Sequence, residues 1–174
     1  MSVAVVNPLA LLRELFTIRG AGTLIRRGSV IDVLSDPNAI DGPRLSSLIE
    51  SAFGRKLRAG ALDRPWERVY LEPGYRAAVL LTRTPAGVYL SKFVVERQAQ
   101  GEGIGGDLWT ALVRDYPSFF WRARPDNPIA PWYTRLCDGL VRTPNWHVYW
   151  RGLGPNEIAP AVAYASAQTI DLED

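Results

Sequence analysis

Apolar residues recur along this chain at two spacings, and the switches between them mark out its elements. Asn7 and Pro8 open a short helix carrying Leu9, Leu12, Leu15 and Phe16 on one face, and Gly20 and Gly22 close it. Residues 23 to 34 read as strand or connector. Asp41 then precedes a helix with Leu45, Leu48, Ile49 and Phe53 at helical spacing, ended by Gly54. Three short strands follow, Arg68 to Glu72, Arg76 to Arg83 and Val88 to Val95, with turns at Pro73-Gly74 and Thr84 to Gly87. Consecutive strands with tight turns predict an antiparallel meander. Beyond it the pattern predicts a helix over 104 to 115, a strand over 118 to 123, a proline-punctuated loop over 125 to 131, a short helix near 132 to 137 and a last strand over 145 to 151. Residues 156 to 168 read as a final helix in which Pro160 imposes a late start or a break. The fold class is α/β (α+β), a mixed, mostly antiparallel sheet with helices on both faces.

Composition narrows the class. A chain of 174 residues with 47% hydrophobic content buries one substantial core, and its six Trp, seven Tyr and five Phe make that core aromatic. All 20 basic residues precede Pro155, whereas Glu157, Asp171, Glu173 and Asp174 leave the tail acidic. A mildly basic body suits anionic ligands, yet no dense Lys/Arg run marks nucleic-acid binding. One cysteine, Cys137, excludes an intrachain disulfide and suggests a reducing, cytoplasmic setting. One histidine, His147, leaves no His/Cys set for zinc. Neither a signal peptide nor an 18-residue apolar run is seen, so no membrane partner is expected.

The most informative stretch is Ser91 to Gly106, S-K-F-V-V-E-R-Q-A-Q-G-E-G-I-G-G. An apolar strand runs into a glycine loop and then into the helical pattern Ile104, Leu108, Trp109, Leu112, Val113. Unpaired N–H groups and the positive dipole end at a helix start attract phosphate, and glycines let it come close. A Walker loop would need Lys-Ser or Lys-Thr after the glycines, which are missing. Gly101, Gly103 and Gly106 fit the dinucleotide fingerprint G-x-G-x-x-G, with Asp126 in place for a ribose 20 residues on, but hairpins rather than a βαβ unit precede it. Gln100, Gly103 and Gly105 spell Q-x-x-G-x-G, which resembles the pyrophosphate loop of acetyl-coenzyme A binders of the GNAT superfamily.

The runs F-F-W-R-A-R-P-D-N-P-I-A-P-W-Y (Phe119 to Tyr133), Asp138-Gly139 and W-H-V-Y-W-R-G-L (Trp146 to Leu153) closely resemble the acetyltransferase domain of N-acetylglutamate synthases, of the type shared by vertebrate synthases and bacterial synthase/kinases. With Tyr89 to Gly105 the resemblance spans most of residues 40 to 153. It implies the GNAT fold over residues 35–174, acetyl-CoA as cosubstrate, no metal, and L-glutamate as acceptor in the first step of arginine biosynthesis. Glu14 to Leu24 resembles the end of an amino-acid-kinase domain, so residues 1–34 read as that domain's end plus a linker, and a kinase domain of the same parent chain is an implied partner. An oligomer is compatible with the sequence.

The chemistry fits these residue types. Acetyl transfer from a thioester to an amine needs donors for the developing oxyanion and for the departing thiolate, and glutamate adds two carboxylates to be neutralised. Arg122 and Arg124 lie two apart on a strand, so they share a face, and arginine grips carboxylate bidentately. The resemblance gives Arg122, Arg124, Asn127 and Lys92 a role in holding glutamate, together with a basic residue of F-G-R-K-L, Arg55 or Lys56. It places coenzyme on Val94, Val95, Gln100, Gly101, Gly103, Ile104 and Gly105, the backbone near Val94 and Val95 meeting the oxyanion. The resemblance also places Tyr133 near the coenzyme sulfur, where it would serve the leaving thiolate; a phenol with a pKa of about 10 is protonated at neutral pH and can donate. No side chain stands out as general base; His147 reads as a packing residue, and a water relay would take the ammonium proton. The alternatives are acetylation of another acidic amine, or a dinucleotide- or CoA-binding regulatory module without catalysis.

Overall fold

A computed structural model describes residues 2–5, 23–26 and 28–173. The helix expected over Leu9 to Phe16 lies outside the described residues. Strands β1 (Ser2–Val5) and β2 (Thr23–Arg26) pair antiparallel as a separate two-stranded sheet. The remaining strands are β3 (Asp32–Leu34), β4 (Arg68–Leu71), β5 (Ala77–Thr84), β6 (Gly87–Val95), β7 (Phe119–Ala123), β8 (Gly139–Arg142) and β9 (His147–Arg151). They form one sheet in the order β3-β4-β5-β6-β7-β9-β8, antiparallel at every junction except β6/β7, which is parallel.

Helices cover both faces. α1 (Gly42–Phe53) starts where the Asp41 carboxylate accepts the Arg44 N–H at 3.0 Å and ends at left-handed Gly54, as its sequence predicts. It buries Leu45, Leu48 and Ile49 against Val69, Leu71, Ala78, Leu80 and Val94. On the same face, α4 (Pro155–Ala167) lays Ala161 and Ala165 over Tyr89, Phe120 and Val148. The opposite face carries α2 (Ile104–Asp115) and α3 (Ala130–Leu136), whose Ile104, Leu108, Trp109, Leu112 and Tyr133 close over Leu90, Phe119, Trp121 and Tyr149.

Two expectations are corrected. Pro160 neither delays nor breaks α4. It lies one turn inside the helix, so only the Asn156 carbonyl loses its partner, and both residues are exposed, where water can serve instead. Strand β8 was not anticipated, because Gly139-Leu140-Val141-Arg142 is an exposed edge without alternation; Gly139 is needed there since a Cβ would run into the Trp150 indole.

A register shift in β6 sets up the site. Leu80 faces Lys92 and Leu81 faces Leu90, which leaves Ser91 as an extra residue. Before it, Val88 and Leu90 face α2; after it, Phe93 and Val95 do. The bulge therefore turns Lys92 to the α1/α4 face, where strict alternation from Leu90 would have pointed it into the α2 core.

Candidate active site

Strands β6 and β7 pair over only two positions, Tyr89 with Phe120 and Leu90 with Trp121, after which they splay. Beyond that point β6 is held from one side. The Ala77 carbonyl accepts Glu72 N–H at 2.9 Å and the Arg76 carbonyl accepts Glu96 N–H at 2.8 Å, which fixes the alternation of the β5/β6 ladder. Val94 and Glu96 thus turn their N–H groups to β5, and Phe93 and Val95 turn theirs into the gap. Of the two backbone positions expected to meet an oxyanion, Val95 faces the gap and Val94 does not.

The glycine loop closes one end of the gap. The Gln100 side-chain amide donates to the Val95 carbonyl at 3.4 Å. Gly101 (φ +91) and Gly103 (φ +85) both take left-handed backbone that a side chain would strain, and Gly103 caps α2 with no side chain over the helix start. The first N–H groups of α2, on Ile104 and Gly105, thereby stay presented at the dipole's positive end. Gly105 lies against β6, where an added Cβ would sit 3.5 Å from Val95 Cγ2 and 3.7 Å from the Phe93 ring.

Tyr133 stands at the other side of this opening. It is 6% exposed, edge-on to Phe93 and packed with Trp121, Trp132 and Tyr149. Burial, with the Tyr149 hydroxyl as a smaller contribution, holds its phenol well above the ordinary tyrosine pKa, which favours the protonated form.

A cationic cluster occupies the α1/α4 face. Lys92 is 9% exposed and forms a buried ion pair with Asp171, which also accepts from Arg64 at 2.6 Å. Burial pulls the Lys92 pKa down while Asp171 opposes it. Burial likewise works against the Asp171 carboxylate, but Lys92 and Arg64 together hold it below its ordinary range. Arg122 reaches over Trp146, 3.8 Å from the ring centre, and donates to the carbonyls of Ala165, Gln168 and Thr169 at 2.7 to 2.8 Å. Tyr89 lies beneath, its phenol pushed up to about 12, chiefly by burial. Arg124 shares the Trp146 indole at 4.7 Å, so the arginine pair faces one way as its spacing predicts.

Other candidates lie apart from this cluster. Lys56 pairs with Glu50 at 2.9 Å and is 74% exposed, and Arg55 is exposed beside it. Asn127 accepts the Ile129 N–H at 3.1 Å in the turn into α3, and lines a separate cavity of about 380 Å³ with Asp126, Thr134, Arg142, His147 and Tyr149. The His147 ring makes a polar contact with Tyr149, 3.4 Å from Nδ1 to the hydroxyl. Arg64 and Asp171 were not singled out in the sequence. Their signal, one arginine before Pro65 and one acid in an acidic tail, has no local pattern. Among the described residues no His, Cys, Asp and Glu group could hold a metal, and no helix is long and apolar enough to cross a membrane.

A sheet splayed between strands, with a glycine-capped helix at the splay, defines the GNAT class of acetyltransferases. An acetyltransferase of the GNAT family from Staphylococcus aureus shares the fold at a TM-score of 0.55 and 12% identity, over 70% of this chain and 98% of that one. Residues 31–168 match the model of the NAT domain, the N-acetyltransferase of N-acetylglutamate synthase, and the chain belongs to that family. Acetylglutamate kinase from Xylella fastidiosa is 40% identical over 175 residues, 99% of this chain and 42% of the relative. The chain spans about two fifths of the length of the curated relatives it matches first. The structure of N-acetylglutamate synthase from Neisseria gonorrhoeae, complexed with coenzyme A and N-acetyl-glutamate, shares the fold at a TM-score of 0.53 and 18% identity, over 82% of this chain and 39% of that one.

Proposed function

We propose that this chain transfers the acetyl group of acetyl-CoA to the amine of L-glutamate by direct attack. The observation that carries this reading is the two-sided gap at β6: a glycine-capped helix and Tyr133 on one face, Arg122 and Lys92, the latter paired with the chain's own Asp171, on the other. The fit to coenzyme rests on the gap and loop. The Ile104 and Gly105 N–H groups and the helix dipole would hold the pyrophosphate, and left-handed Gly101 and Gly103 keep side chains out of its path. Acetyl-CoA supplies a thioester, whose carbonyl is electrophilic and whose thiolate is a good leaving group. The Phe93 and Val95 N–H groups would receive the charge that develops on the carbonyl oxygen, and the Tyr133 hydroxyl would donate to the departing sulfur. Lys92, Arg122 and Arg124 would neutralise the glutamate carboxylates from the far face. A part for Asn127 and Arg55 or Lys56 in holding glutamate rests on the family resemblance, since they lie apart from this cluster.

The unit that folds would begin at β3, one strand before the boundary drawn at residue 35, because Asp32 to Leu34 pair with Leu71 to Val69 in the main sheet. Residues 1 to 27 would be the end of a kinase domain and its linker, in keeping with relatives named acetylglutamate kinase. The single cysteine fits a reducing compartment, and we place the chain in the cytoplasm. Thiol release from acetyl-CoA, measured with glutamate, aspartate and glutamine, tests the reading. Release with glutamate at the highest kcat/KM is expected; none with any acidic amine would sink it, and preference for aspartate would move the substrate to another acidic amine.

A further inference from the structure

Two of the cations assigned to glutamate, Lys92 and Arg122, are engaged by one segment of the chain, the stretch from the end of α4 onward. Asp171 sits between Lys92 and Arg64, and Arg122 donates to the carbonyls of Ala165, Gln168 and Thr169. Past α4 the chain lies down beside residues 56 to 58. Arg58 N–H donates to the Asp171 carbonyl at 2.8 Å, Glu173 N–H donates to the Lys56 carbonyl at 2.9 Å, and Leu172 bridges Leu57 and packs on the α1 core. Its apolar and ladder attachment is one bridge and one partly buried leucine; the rest is polar, with Arg58 Nε on the Leu172 carbonyl at 3.3 Å, Arg122 on the Thr169 carbonyl at 2.7 Å, and the Asp171 carboxylate on Lys92 and Arg64, contacts that another carboxylate could replace. Its carboxylate is nonetheless among the most enclosed charges in the molecule, with a side chain only 12% exposed.

We propose that residues 169–173 form a displaceable strap, in which the Asp171 carboxylate stands in for a carboxylate of the acceptor and competes with it for Lys92. This rests on the reading of the Lys92 and Arg122 cluster as the glutamate pocket. A buried lysine stripped of its counter-ion is costly, so a built-in carboxylate keeps the empty pocket charged and folded, and an incoming dicarboxylate replaces it like for like. The strap lowers apparent affinity by the fraction of time it is closed, so a strap open a tenth of the time raises the apparent constant about tenfold. Substrate and strap exclude each other, which makes the C-terminal residues a handle on glutamate affinity that leaves coenzyme binding alone.

Two variants and one exchange measurement test this. Asp171→Asn removes the competing charge, and Leu172→Asp loosens the strap without touching the cation cluster. Both are expected to lower KM for glutamate by about threefold to tenfold at unchanged kcat and unchanged KM for acetyl-CoA. A KM for glutamate that stays put or rises in the folded variants overturns the proposal, the rise being what a fixed role of Asp171 in holding substrate would give. In the unaltered protein, millimolar glutamate or glutarate should speed hydrogen exchange at the Glu173 and Arg58 amides, whereas acetyl-CoA should not. Unchanged exchange with both diacids overturns the strap even if every variant unfolds. Should no thiol be released with glutamate, the synthase reading fails by itself, and the exchange response to glutarate still decides the strap.

Discussion

Tyr133 illustrates how one side chain can be both core and chemistry. Its ring completes the aromatic cluster of Phe93, Trp121, Trp132 and Tyr149, so Tyr133→Phe keeps that packing while removing the hydroxyl beside the β6 gap. If the hydroxyl serves the thiolate, turnover should fall by about tenfold to hundredfold with both KM values nearly unchanged. Full turnover in the Phe variant would leave only the packing role. The pKa direction adds a second readout. A phenol raised by burial is neutral well past its ordinary pKa of about 10, so kcat should not decline on its account up to that pH. The stability from its neutral form is likewise full below that unfolded value and is lost as pH rises through the higher folded one. A loss of kcat near pH 9 that disappears in Tyr133→Phe would contradict the buried assignment.

At the scale of elements, the loop and α2 act as one device. Left-handed Gly103 ends the loop and opens the helix in a single residue, which aims the first amides outward at the mouth of the gap. Valine there is β-branched at φ +85, a conformation costing about 1 to 3 kcal/mol, and its side chain would occupy the anion's approach. Gly103→Val is therefore expected to stay folded with a lower melting temperature and to lose acetyl-CoA affinity by at least about tenfold. Calorimetry on the folded variant checks this, and unchanged affinity would remove the loop from the coenzyme site. This element was legible because it is local: strand, glycines and helix pattern lie within the 23 consecutive residues Ser91 to Val113, and Gly101 and Gly103 report left-handed backbone directly.

For the whole molecule, the main sheet is a partition that opens where β6 and β7 splay. Arg122, proposed to hold the acceptor, also belongs to that architecture, since it ties β7 to the end of α4 through three carbonyls. Arg122→Ala should lower stability by about 2 to 4 kcal/mol as well as raise KM for glutamate, because charged hydrogen bonds to three carbonyls, two of them in part-buried contacts, are lost. Arg124→Ala, which has only the Trp146 face as its described contact, should raise KM for glutamate far more than KM for acetyl-CoA and leave the melting temperature nearly alone. Melting curves and steady-state kinetics on the pair separate the two roles; equal destabilisation would make both arginines structural. What the sequence by itself determined is everything carried by periodicity, caps and a contiguous motif: the meander, α1 and α2, the glycine loop, and the shared face of Arg122 and Arg124. Only the tertiary structure decided which face Lys92 takes, because a single bulged residue at Ser91 reverses the alternation and is set by the pairing of β5 with β6. It alone also brought Asp171 and Arg64 to Lys92, across sequence separations of 79 and 28 residues, since burial of charge depends on what packs around it and not on neighbours along the chain.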